Sequence, residues 1–294
     1  MSLTRRRFLT ISAAFAAGPA QALAPARWRG MALGAEAEIT LHGPGAEEAL
    51  EAALAKIRAC EARFSLYDPA SELSRLNRTG KLDASLPFRA LMQLADRVHE
   101  ATGGAFDPSV QPLWRALASG GDVAAARARI GWEKIVRDGN RIALGSGQAL
   151  TFNGIAQGVA TDAVAELLAA RGFGQALINI GEFRALGGPW RLGLSDPEHG
   201  PLGTRTLNTG AVATSSPAAL RLGQETHILN PRGAGGVLWS TVSVEAESAA
   251  LADALSTAGC MMDADALHRA ATALGGVRRI TLVTHAGDLR SLSV

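Results

Sequence analysis

The chain has 294 residues, with 29 Lys+Arg against 27 Asp+Glu, 47% apolar and 19% charged residues. That balance argues against disorder, and no apolar run reaches the ~20 residues of a membrane span. Arg5, Arg6 and Arg7 lie in a segment read below as removed; without them 26 basic residues face 27 acidic ones, so no basic stripe remains to track a nucleic-acid backbone.

The N-terminus reads as an address. TRRRFL at residues 4–9 precedes an apolar stretch at 11–17, then Gly18 and Pro19, and the small-residue step Ala22, Leu23, Ala24. This is the order of a cleavable export signal, and the paired arginines point to the twin-arginine route. Residues 1–24 are therefore expected to be removed, leaving residues 25–294 in an oxidising periplasm. There Cys60 and Cys260 either pair or, in their apolar helical contexts, stay buried as free thiols.

Residues 31–41 alternate loosely and suggest a strand, whereas 46–64 place Leu50, Leu54, Ile57 and Phe64 at helical spacing. Tyr67, the only tyrosine, falls in FSLYDPASELSRLN at 64–77 and is expected in a turn before Asp-Pro. Pro87 opens a second helix with Leu91, Leu94, Ala95 and Val98 on one face, stopped by Gly103 and Gly104. The next segment, GGAFDPSVQPLW at 103–114, reads as an apolar loop whose Phe106 and Trp114 either line a ring-binding cleft or plug the core. Strands flank the Asp-Gly-Asn turn at 138–140, and a third helix spans 159–170. Strands are expected at 175–180, 183–194, 205–214 and 240–246, then helices at 248–259 and 263–274, and a closing hairpin turned at Ala286 and Gly287. With no repeat and no linker, a single α+β unit with a mixed sheet is the simplest architecture.

Phosphate-loop, GxGxxG, HExxH and GxSxG motifs are all missing. Attention moves to LTFNGIAQGVATD at 150–162, where Asn153, Gly154 and Gly158 turn a strand into a helix. A helix start offers unpaired amides and a positive dipole end to an anionic ligand, although such glycines often serve only the turn. Asp253 and Thr257 stand four residues apart, on one helix face, where a carboxylate and a hydroxyl suit a hard cation such as Mg²⁺. The plainer alternative is an exposed Asp and a Thr bonded to its own helix. THILNPRG at 226–233 brings His227 to a strand end; His42, His99, His199, His268 and His285 have no catalytic neighbours in sequence.

Taken together and in order, MALGAEAEITL, FSLYDPASELSRLN, GGAFDPSV, NGIAQGVATDAV, LINIGEFRALG, ATSSP, HILNPRG and ADALSTA make a chain that resembles the ApbE family, the FAD:protein FMN transferases. The resemblance covers nearly all of residues 25–294. It implies an ApbE-like α+β fold of mixed β-sheet and packed helices forming one catalytic unit. It also implies an enzyme that uses FAD and Mg²⁺, moves FMN to a threonine hydroxyl of a partner redox protein, and releases AMP. In its terms Ala156 (by its carbonyl), Asp253 and Thr257 hold the metal, while Met31, Tyr67, Ala105, Phe106, Asp107 and Gln157 surround FAD. His227 is the candidate base, with Asp107 as alternative. The acceptor implied by the resemblance is a periplasmic or membrane redox protein, such as one serving nitrous oxide reduction or an ion-pumping electron-transfer complex.

The chain departs from the commonest pattern at four places: Thr151 for Asp, Gln157 for Lys, Glu182 for the second glycine of a pair, and Asn230 for Asp. Gln157 brings no positive charge to a diphosphate, and nearby arginines such as Arg232 are candidates to replace it. Ser215, Ser216 and Pro217 read as subfamily variation around a tight turn. Two rival functions remain, an FAD pyrophosphatase in which water replaces the threonine, disfavoured by an aromatic Tyr67 over the site, and a periplasmic flavin carrier without turnover.

Overall fold

The computed structural model describes residues 24–233 and 235–294, so the export signal expected over 1–24 lies outside the described residues except for its last position. Strands β1 (Ala26–Ala32) and β2 (Ala35–Leu41) form a hairpin where one strand was expected at 31–41. The break is at Leu33 and Gly34, both at positive φ (49° and 76°), a tight turn that an alternation count does not register.

Helix α1 (Ala46–Phe64) buries Leu50, Ile57 and Phe64, as the spacing predicts. α2 (Glu72–Thr79) was not anticipated; Ser71 caps it by accepting from the Ser74 N–H, and left-handed Gly80 ends it. After β3 (Lys81–Asp83), α3 (Leu86–Ala101) has Ser85 as cap and Pro87 in its first turn. The expected apolar loop at 103–114 is partly helical. Pro108–Val110 makes one 3₁₀ turn, and α4 (Gln111–Ser119) tolerates Pro112 because its first turn needs no amide donor. α5 (Val123–Arg127) follows, then β4 (Val136–Asp138) and β5 (Arg141–Ala143) pair across the Asp-Gly-Asn turn, with β3 on the far side of β5.

The rest of the chain builds the main sheet. α6 (Ala156–Ala170) leads into β6 (Ala176–Asn179), β7 (Phe183–Leu186), the hairpin of β8 (Trp190–Asp196) and β9 (Gly200–Leu207), and β10 (Gly210–Ser215). A small hairpin of β11 (Arg221–Leu222) and β12 (Glu225–Thr226) precedes β13 (Thr241–Ala246), α7 (Ala249–Gly259), α8 (Ala264–Leu274), β14 (Val277–Val283) and β15 (Leu289–Ser293). The large sheet runs β1-β2-β6-β7-β10-β13-β14-β15. The α+β class is as expected, but the sheet expected to be mixed is antiparallel in every described pairing. The reason is connectivity: the sheet grows largely by hairpins, and the helices between β2 and β6 and between β13 and β14 return the chain in the opposite direction.

Successive strand residues face opposite sides of a sheet. In β6, Ala176 and Ile178 join the main core while Leu177 joins a second cluster with Phe183, Trp190, Leu192 and Leu207. The helices thus cover one face, α7 against β10 and β13, and the β8–β9 hairpin covers part of the other. Phe64, Phe88 and Phe152 anchor the helical side, with ring centroids 5.3 to 6.2 Å apart. Cys60 and Cys260 are buried free thiols.

Candidate active site

A cleft of about 200 Å³ opens where the start of α6, the middle of α7, the end of β10 and the tip of the β8–β9 hairpin meet. Its placement rests on two glycines. A Cβ built on Gly158 would overlap the Ala249 carbonyl oxygen, and one on Gly154 would stand 2.8 Å from the Thr257 hydroxyl oxygen. Only at these positions without side chains can α6 begin this close to α7. Asp162, one turn further along α6, completes the contact: its carboxylate accepts from the Ser248 hydroxyl (2.7 Å) and the Ala249 and Ala250 N–H groups (2.8 and 3.0 Å), capping α7, and it pairs with Arg184.

Asp253 is only 3% exposed and accepts a hydrogen bond from the Gly158 N–H at 3.2 Å. The exposed-aspartate alternative is therefore set aside, and one amide of the α6 start, expected to face a ligand, faces this carboxylate instead. The positive end of the helix favours negative charge there. Thr257 and Asp253 both line the cleft. A carboxylate and a hydroxyl, beside a glycine whose missing Cβ leaves room at Thr257, form an oxygen donor set that fits a hard divalent cation. Ala156 is buried as the first residue of α6 and does not itself line the cleft, although Gly154 and Gln157 do. Among the described residues no three His, Cys, Asp or Glu side chains gather as a metal cage.

Opposite stand Ala105, Phe106 and Asp107. Burial pushes the Asp107 carboxyl above its ordinary value, against the pull of two hydrogen bonds from Ser109 (2.8 Å from N–H, 2.6 Å from Oγ) and the charge of nearby His99. His99, passed over in the sequence, holds the loop by its Nδ1 against the Phe106 carbonyl at 2.8 Å; the intervening Gly103–Gly104 turn hides that proximity from spacing arguments. His227 lines the cleft from just beyond β12, with Nδ1 3.0 Å from the Pro217 carbonyl oxygen and 3.3 Å from that of Leu220. Two acceptors at Nδ1 require the proton there, so in the neutral ring Nε2 carries the lone pair.

Met31 and Tyr67 are not brought into the cleft wall; each is 64% exposed. They stand by the β1–β2 tip, where Tyr67 packs against Gly34 and Gln157 donates to the Leu33 carbonyl at 3.5 Å. Of the departures noted in sequence, Thr151, Gln157 and Glu182 line the cleft, with buried Glu182 accepting from the Thr214 N–H at 3.1 Å. Arg232 does not line it and donates to the Met261 carbonyl at 3.2 Å. The described lining thus holds Asp107, Glu182 and Asp253 but no lysine or arginine. Sequence reading missed the hairpin-tip pair Ser195 and Pro197, which carry no motif of their own, and Thr214 lines the cleft from within ATSSP without having been singled out.

This fold is shared with several solved structures. An ApbE protein from Thermotoga maritima aligns with TM-score 0.80 at 24% identity over 90% of this chain and 96% of that one. The flavin transferase ApbE of Vibrio cholerae aligns with TM-score 0.75 at 22% identity (92% and 97% covered), and the Pseudomonas stutzeri flavinyl transferase ApbE, apo form, with TM-score 0.77 at 24% identity (92% and 94% covered). Identities this low carry the fold. The chain itself belongs to the ApbE family, whose model matches residues 33–280. No curated protein matches it.

Proposed function

We propose that this protein is an FAD:protein FMN transferase that works in the periplasm after twin-arginine export. Family membership and the pairing of buried Asp253 with Thr257 across from Asp107 and His227 support that reading. The order of residues 4–24 supports the address. Among the described residues no helix is long and apolar enough to cross a membrane.

In the reaction, the threonine hydroxyl oxygen of the acceptor bonds to the FMN-side phosphorus of FAD, the bond from that phosphorus to the bridging oxygen breaks, and AMP leaves. Asp253 and Thr257, which line the cleft, would hold Mg²⁺, which would neutralise charge on the diphosphate when bound. The chain's own groups do the rest. His227, oriented through Nδ1 by the Pro217 and Leu220 carbonyls, takes the hydroxyl proton at Nε2. Asp107, held by Ser109, flanks the flavin side together with Ala105 and Phe106. Gly154 and Gly158 keep α6 and α7 in register, so that the phosphate end meets Asp253 and Thr257. With no cationic side chain among the described lining residues, charge neutralisation depends on the cation more heavily than in a site with a lysine at position 157.

The test is AMP release from FAD in the presence of Mg²⁺ and an acceptor. Asp253→Ala is expected to lower the rate at least ~100-fold, the scale of removing one transition-state contact, and chelation of Mg²⁺ in the parent protein to do the same reversibly. Full activity in Asp253→Ala would reject the assignment.

A further inference from the structure

One buried carboxylate beside the cleft has no part in the chemistry above. Asp196 closes β8, is 2% exposed, and pairs with no lysine or arginine among the described residues. Its Oδ1 accepts from the Glu198 and His199 N–H groups at 2.8 and 2.9 Å, which closes the β8–β9 turn on itself. Its Oδ2 reaches across the fold and accepts from the Ser240 hydroxyl at 2.7 Å and the Thr241 hydroxyl at 2.6 Å, at the start of β13.

Both flanking residues, Ser195 and Pro197, line the cleft, and so does Ser216. Ser216 Oγ lies 2.6 Å from Thr241 Oγ1. A hydroxyl has one hydrogen, and that of Thr241 goes to Asp196, so Thr241 accepts from Ser216. The relay Ser216 to Thr241 to Asp196 runs in one direction because its last member is an acceptor. Apolar packing through Trp190, Leu192 and Leu207 seats the far end of the hairpin on the sheet. At the cleft end the turn is tied by Asp196, whose bonds outweigh the cost of its burial and hold its carboxyl below the ordinary value.

We propose that Asp196 is a positioning residue that seats the β8–β9 tip and Ser216 as two adjoining walls of the substrate cleft, and so sets how tightly the cleft closes on its flavin substrate. The identity of the substrate rests on the flavin-transfer reading; the seating of the walls does not.

The experiment uses the full chain and its Asp196→Ala, Asp196→Asn and Thr241→Val variants. Amide hydrogen exchange is measured without ligand, and KM for FAD and kcat for AMP release are measured separately. In Asp196→Ala, amides at 195–199 are expected to exchange at least tenfold faster while those of β13 and β14 keep the parent's rates. KM for FAD is expected to rise about tenfold with kcat within twofold, since the loss is of binding common to ground and transition states. Thr241→Val is expected to give the same pattern more weakly, and Asp196→Asn, which keeps an acceptor for the turn amides, to recover part of the protection. Unchanged exchange at 195–199 in both Asp196→Ala and Thr241→Val would overturn the proposal, as would faster exchange spread evenly over the core. Should Asp196→Ala fail to fold, the other two variants decide on the same criteria. Local loosening in a protein whose parent form releases no AMP would leave the seating intact and reject the flavin-transfer reading instead.

Discussion

Two aspartates near the cleft show how surroundings set a carboxyl's behaviour. Asp107 is pushed up because burial outweighs its two Ser109 bonds; Asp196 is held down because four donors outweigh burial. A carboxyl lowered in the fold stabilises it above its unfolded value of ~3.9 and loses that contribution as pH falls through the lower folded value. The stability gap between the parent protein and Asp196→Asn, measured by urea unfolding, is therefore expected to be full at pH 6 and to shrink below about pH 4. A gap independent of pH would contradict this. The thiols give a second residue-scale expectation. Burial raises both Cys60 and Cys260, with Glu61 adding to the rise at Cys60 against Lys56 and Arg63, so little thiolate is available. A thiol reagent is expected to titrate neither cysteine in the native protein and both after denaturation. At this scale the sequence singled out Asp253, Thr257 and His227, and all three line the cleft. Met31 and Tyr67 are exposed and do not line the cleft, and the turn beside them rests on the two positive φ angles of Leu33 and Gly34 rather than on any pattern of polarity.

Among the elements, α6 and α7 carry the site, and their closeness is decided by Gly158. Replacing it with Ala would push a methyl group into the Ala249–Ala250 backbone, which cannot turn away as a flexible side chain would. Gly158→Ala is expected to cost about 1–3 kcal/mol in thermal or denaturant unfolding. It should also lower AMP release more than the lost stability explains, since Gly158 also donates to Asp253. Unchanged stability and rate would mean that the helices do not meet as described. The long amphipathic elements, α1, α3 and α8, were legible because their apolar spacing is regular over several turns. α2 and α4 were not. Asp-Pro precedes the first, and Pro112 sits inside the second, so breaker residues that in fact mark helix entrances read as loop.

Across the whole molecule, the α+β class followed from alternating helical and strand patterns, whereas sheet order and direction depend on which hairpins pair, and local periodicity is silent on that. The cleft is a product of this long-range assembly: β8–β9, β10, α6, α7 and the 105–107 segment each add a wall, and Asp107, Glu182 and Asp253 line it without a lysine or arginine in the described lining. A site so lined favours a divalent cation over a bare diphosphate. The proposed transferase activity requires FMN to end on a protein rather than on water. Intact-mass spectrometry of a candidate acceptor, incubated with this protein, FAD and Mg²⁺, tests it most directly: the acceptor is expected to gain the mass of FMN less one water, on a threonine, in step with AMP. Equal amounts of AMP and free FMN, with the acceptor's mass unchanged, would contradict it.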